Sequence, residues 1–97
     1  MVVDADRVSG PLTIRSWRAG DRFVPFGMKQ RSKKLQDLFV DCKVPATQRP
    51  FIPILEAPEG ILGVLGFRQD ERFGMDGSTR RCLLVRVMET SRTKGVQ

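Results

Sequence analysis

The sequence predicts a small single domain of the α+β class, with about four to five short β-strands and one main amphipathic helix. Three observations carry that prediction. Leu35, Leu38, Phe39 and Cys42 recur at the spacing of one helix face. Short apolar runs around Ile14, Ile54, Leu62 and Val85 have the length of strands and are bounded by Gly and Pro. The chain has 97 residues, 40% of them hydrophobic and 29% charged, which suffices for one modest core but not for a catalytic and a binding domain together.

Taken in order, residues 1–10 read as a polar lead-in that stops at Ser9-Gly10-Pro11. The domain proper is expected over 11–88. Leu12, Ile14 and Ser16 alternate with Thr13 and Arg15, a short strand ending near Trp17. Arg18-Ala19-Gly20-Asp21 reads as a turn, and Phe23 to Gly27 as an irregular segment pinned by Pro25 and two aromatics. Ser32 stands where a helix N-cap would, opening a helix from Lys33 to Cys42. That helix must end near Lys43, because Val44 precedes Pro45 and is pushed toward extended geometry.

Pro45 to Pro50 is a connector. Phe51 to Leu55 is extended, with Pro53 marking an edge or a bulge. The turn Ala57-Pro58-Glu59-Gly60 then leads into Ile61 to Gly66, which predicts a hairpin. Gly63 inside its second strand signals a bulge or a close backbone approach. Phe67 to Phe73 carries charges of both signs, and Arg68, Asp70, Glu71 and Arg72 read mainly as a surface ion-pair network. Another turn at Met75 to Ser78 precedes the last strand, Cys82 to Met88, and 89–97 is expected to be a flexible tail.

The composition bears on chemistry mainly by what it lacks. There is no histidine, so the usual general base, nucleophile partner and zinc ligand are missing. A Cys–His or Ser–His–Asp hydrolase is excluded. No GxxxxGK[ST] or GxGxxG loop is present to cradle nucleotide phosphates. Cys42 and Cys82 lie far apart, follow no metal spacing, and are expected as reduced, buried thiols. No apolar run approaches the roughly 20 residues that span a bilayer, and the N-terminus has no signal-peptide core, so the expected setting is the cytoplasm. The chain is expected to perform no catalysis by itself.

Its charge is distributed very unevenly. Between Arg15 and Lys34 stand seven basic residues (Arg15, Arg18, Arg22, Lys29, Arg31, Lys33, Lys34) and one acid, Asp21. The remaining residues carry ten basic and ten acidic side chains, so the whole net charge of +6 sits in this stretch. A localised patch of this kind most commonly faces a phosphate backbone. Trp17, Phe23, Pro25 and Phe26 within it argue for a folded surface and against a solvated arm. Trp17 fits either a base-stacking platform or a core anchor, and as the only tryptophan of a small chain it is read first as core. Asp21, an acid among bases, is read as a support that orients its neighbours. Lys33 and Lys34 at the expected helix start would oppose the helix dipole, which makes sense if an anion is to sit there. The competing class is a protein-interaction or interdomain docking module with a basic surface.

Residue order adds what charge cannot. The string Arg15-x-Trp17-Arg18-x-Gly20-Asp21-Arg22-Phe23-x-Pro25-x-Gly27-Met28 is followed by Lys33-Lys34-Leu35-Gln36-Asp37-Leu38-Phe39, then Val44-Pro45 and Arg49. With Gly66-Phe67-Arg68 and Asp70-Glu71-Arg72-Phe73, it resembles the C-terminal domain of bacterial tRNA(Ile)-lysidine synthetase over about residues 4–88.

The resemblance implies a fold shared with a domain of the phenylalanyl-tRNA synthetase β subunit. It implies a parent ligase that joins lysine to the wobble cytidine of tRNA(Ile) with a CAU anticodon. It also implies that ATP and Mg²⁺ act in a separate N-terminal PP-loop domain, leaving no cofactor here. The implied partners are the tRNA acceptor stem and the parent's other domains, with no membrane and with homodimerisation left open. The implied tRNA contacts are Arg15, Arg18, Arg22, Lys29, Lys33 and Lys34, with Arg49 and Arg72 as further candidates; Trp17, Gly20, Asp21 and Gly27 would support the patch.

Overall fold

The computed structural model describes residues 1–27 and 30–88. Its centre is a four-stranded antiparallel sheet in which the hairpin partners β5 (Ile54–Ala57) and β6 (Gly60–Val64) lie between β2 (Thr13–Arg15) and β7 (Arg68–Gln69), in the order β2-β5-β6-β7. A shift of register falls between Leu55 and Glu56. The expected close approach at Gly63 is real: a Cβ there would stand 3.0 Å from the Arg68 carbonyl oxygen and 3.1 Å from the Gln69 Cα. Only a residue without a side chain lets β7 pack that closely.

Residues of β5 and β6 supply both faces of this sheet. Ile54, Ile61 and Val64 join Phe23, Leu35, Leu38, Phe39 and Val44 in one core, with Trp17 and Ile52 packed against it. Leu55, Ala57, Leu62 and Leu65 join Val3 and Phe73 in a second core. A strand buried on both faces reads as a continuous apolar run, which is how Ile61 to Leu65 appears in the sequence.

The predicted helix is present as α1 (Leu35–Asp41), and Leu35, Leu38 and Phe39 form its buried stripe. Its C-terminus is built as expected near Lys43, by a mechanism beyond the following proline. Lys43 takes the left-handed conformation (φ 57°), the Lys43 N–H donates to the Val40 carbonyl, and the Val44 N–H donates to the Phe39 carbonyl. That pair of bonds is the Schellman closure, with lysine at the position glycine usually fills. Cys42 falls on this cap and faces solvent, and Cys82 is exposed as well, so neither thiol is buried as expected.

Three further differences matter for function. Residues 1–10 are part of the fold: β1 (Val2–Asp4) pairs with β8 (Cys82–Leu84), and Val3 is fully buried. Lys33–Lys34 do not begin the helix but form β4, pairing with β3 (Arg22–Phe23). Phe51 is not extended, because Arg49–Phe51 make a 3-10 turn before β5. The described residues thus form eight short strands in three sheets rather than four or five, within the predicted α+β class. The tail at 89–97 lies outside the described residues.

Candidate nucleic-acid interface

The basic stretch folds around one node, Asp21. Gly20, at φ 92°, turns the chain so that the Asp21 N–H reaches the Arg18 carbonyl at 3.1 Å. The Asp21 carboxylate accepts in return from the Arg18 N–H at 2.6 Å and from the Arg15 guanidinium at 2.9 and 3.1 Å. Its carbonyl accepts from the Leu35 N–H at 3.0 Å, tying the turn to the start of α1. On its other side Arg15 forms two hydrogen bonds to Glu56 of β5, at 3.0 and 3.1 Å.

Arg15 is therefore enclosed by two carboxylates, with its side chain only 11% exposed. The sequence put it among the contacts; the structure makes it a brace. Hydrogen bonds to Asp21 and then Glu56 outweigh partial burial and raise the Arg15 pKa above its already high ordinary value. Burial pushes Asp21 up, but the bonds from Arg15 and the Arg18 N–H win, and its carboxyl sits below the ordinary value. The Arg15 hydrogen bond lowers Glu56 likewise.

Depressed carboxylates stabilise the fold above their ordinary pKa of about 4 and lose that contribution as pH falls through the depressed values. Stability of this chain is accordingly expected to fall as pH drops below about 4. In Arg15→Met that loss should be smaller, because Asp21 and Glu56 no longer have the guanidinium. Denaturation midpoints of both proteins between acid and neutral pH check it; parallel profiles would refute the brace.

The remaining bases are displayed outward. Arg22 and Lys34 stand directly opposite each other in the β3–β4 ladder, both exposed. The other pair of that ladder, Phe23 and Lys33, places Phe23 in the core and Lys33 against Asp41 of α1. Ser32 is not an N-cap. Its hydroxyl accepts from Arg22 Nε at 3.0 Å, and the helix N-cap position is Lys34, with no side-chain cap. The helix is too short, and its first N–H too well satisfied by Asp21, to act as the expected anion site. The unfavourable arrangement lies in the sheet instead: like charges directly opposite on adjacent strands repel.

Arg18, Arg22, Arg31 and Lys34 have no carboxylate partner among the described residues. Arg49 is held beside the end of α1, its Nε donating to the Val44 carbonyl at 3.1 Å and its guanidinium 5.7 Å from the centre of the Phe39 ring. Trp17 meets that ring edge-on at 5.6 Å, half-buried against the core. Arg68, outside the sequence-based set, donates to the Phe26 carbonyl at 2.9 Å and so grips the turn at Gly27, whose φ is 87°. Lys29 lies outside the described residues.

Arg72 is engaged elsewhere. Its guanidinium and backbone N–H bond to Asp70, and it lies 5.3 Å over the Phe73 ring. Asp70 is no surface acid: it is fully buried, and its carboxylate also accepts from the Val24 N–H at 2.8 Å. The surrounding segment is structural support behind β3, not the surface ion-pair network its composition suggested.

Comparison with known proteins agrees in sequence and fold. The family described as the TilS substrate C-terminal domain matches residues 12–86. The tRNA(Ile)-lysidine synthase of Symbiobacterium thermophilum is 48% identical over 90% of this chain and 18% of its own length. That of Parabacteroides distasonis is 43% identical over 89% of this chain and 19% of its own. The chain spans less than a fifth of the length of these relatives. A solved structure described as the crystal structure of a TilS C-terminal domain superposes with a TM-score of 0.73 at 36% identity, covering 84% of this chain and 62% of that one. No helix among the described residues is long and apolar enough to cross a membrane. The chain belongs to the TilS substrate C-terminal domain family, the C-terminal domain of tRNA(Ile)-lysidine synthases.

Proposed function

We propose that this domain binds tRNA(Ile) and holds its acceptor stem against the surface formed by Arg18, Arg22, Lys34 and Arg49. The observation that carries this reading is the opposition of Arg22 and Lys34 across a two-residue ladder, where a like-charge pair gains nothing for folding. A phosphate strand lying between them relieves the repulsion. The Arg22 and Arg49 side chains are already held by bonds to Ser32 and the Val44 carbonyl, which lessens the ordering needed on binding. An A-form stem presents phosphates and 2′-hydroxyls along its wide minor groove, which suits recognition by shape and backbone. Such binding, remote from the reacting base, orients the substrate for chemistry at the anticodon.

In this reading the lysine ligation, with its ATP and Mg²⁺, belongs to the parent enzyme outside these 97 residues, whose sequence holds no phosphate-cradling loop. The test is titration of the chain with tRNA(Ile) bearing the CAU anticodon and with its acceptor minihelix across a salt series. If the four named bases each neutralise one phosphate, log affinity should fall against log salt with a slope of about −3 to −4. Absence of salt-dependent binding to either RNA would reject the reading and favour a protein-docking surface.

A further inference from the structure

The most exposed aromatic of the described residues lies outside the basic surface. Phe51 is 84% exposed, and Ile14 beside it on the outer strand β2 is 60% exposed. With Pro50 and Pro53 they line a shallow shelf together with Arg15, Ser16 and Ile52, and among the described residues no acid lines it directly, Asp21 and Glu56 standing behind Arg15.

The shelf is rigid. The Phe51 N–H donates to the Gln48 carbonyl at 3.1 Å and the Ile52 N–H to the Arg49 carbonyl at 3.2 Å, closing the 3-10 turn. The Ser16 hydroxyl donates to the Pro50 carbonyl at 2.8 Å, fastening that turn to the loop that carries Arg18. Arg18 is four residue steps along the chain from Ile14, at most about 14 Å even when fully extended. The free edge of β2 borders the shelf, since β2 is the outermost strand of its sheet.

We infer that Phe51 and Ile14 form a stacking shelf for an unpaired nucleobase at the end of an RNA duplex gripped by Arg18, Arg22 and Lys34. The inference rests on the tRNA-binding reading and deepens it. Charge chooses the occupant. Arg15 in the shelf wall is already neutralised by Asp21 and Glu56, but the loop fastened to the shelf through Ser16 carries Arg18, which has no carboxylate partner among the described residues. This favours an apolar ring carried on a phosphate chain. The turn fixes the backbone that carries the ring, so stacking has only the two side-chain torsions of Phe51 to order. Base–aromatic stacking tolerates any base, so Phe51 would register that the strand is unpaired, whatever its sequence. The duplex contacts and the shelf would together recognise a stem that ends in a single strand.

The experiment compares a blunt RNA duplex with the same duplex extended by a short unpaired strand, binding each to the chain at fixed salt. The extension should raise affinity about tenfold. A fluorescent purine analogue in the extension should be quenched on binding. Phe51→Ala and Phe51→Leu should lose the gain and the quenching while keeping blunt-duplex affinity; Phe51→Trp should retain both. No gain from the extension when the blunt duplex binds would overturn the shelf. So would a gain unchanged in Phe51→Ala, which would leave the patch to a protein partner. Failure of the blunt duplex itself to bind in a salt-dependent way would instead reject the underlying tRNA reading.

Discussion

Arg18→Glu combined with Lys34→Glu is expected to lower affinity for tRNA(Ile) by about 150-fold or more at moderate salt, with the fold intact. Each charge-assisted phosphate hydrogen bond lost is worth about 1.5–3 kcal/mol before the added repulsion is considered. The salt slope should shrink by nearly one unit for each residue that contacts phosphate. The variant separates binding from folding with unusual clarity, because the Lys34 change acts on the two in opposite directions. Glutamate at Lys34 faces Arg22 across the ladder, turning a repulsive pair into an attractive one. Lys34→Glu alone should therefore raise stability by a few tenths of a kcal/mol, up to about 1 kcal/mol, while weakening RNA binding. Thermal unfolding and RNA titration of the same sample measure both. Unchanged RNA affinity in the double variant would remove these residues from the interface.

Asp70→Ala is expected to be the most destabilising single change considered, by about 2–4 kcal/mol. The carboxylate is fully buried and accepts from the Val24 N–H, the Arg72 N–H and the Arg72 guanidinium. Its removal leaves the buried Val24 N–H without that acceptor, at a cost of about 1–3 kcal/mol, and forfeits charge-assisted bonds to the neighbouring turn. Arg72 is half exposed and can return to water, so the full cost of stranding a buried charge does not apply. Asp70→Asn should fall between, since it keeps an acceptor and the shape. Urea denaturation gives the differences, and a loss below about 1 kcal/mol would show that the network is not needed. Val24 follows β3 directly, so Asp70 reaches function through the strand that displays Arg22.

These two cases also show which features were legible beforehand. Concentration of charge between Arg15 and Lys34 needs only counting, and it located the surface on which Arg18, Arg22 and Lys34 stand exposed. The stripe of α1, the β5–β6 hairpin and the tight approach at Gly63 follow from local spacing and backbone freedom, and each is present. The support role of Asp21 was readable as an acid among bases, although its partners were not.

Ser-Lys-Lys-Leu before an apolar stripe has the local pattern of a helix start, which is why the sequence points to one at Lys33 and Lys34. A two-residue strand has no periodicity to set against it, and only pairing with Arg22 and Phe23 makes one. Residues 1–10 look like a polar lead-in because Asp4, Asp6 and Arg7 interrupt the valines, yet Val3 is buried because β8, some eighty residues later, completes its ladder.

By itself, the sequence determined the α+β class, the position of the main helix and the surface that carries the net charge, because these depend on composition and short-range spacing. Tertiary structure alone decided which bases are braces and which are free. Arg15 and Arg18 are alike in the chain, but Glu56 and Asp21 converge on Arg15 while Arg18 keeps an open side. Glu56, far from Arg15 in sequence, meets its guanidinium only through the β2–β5 pairing of the sheet. That non-local pairing, rather than any property of the residue, separates an arginine that holds the surface together from one that can hold RNA.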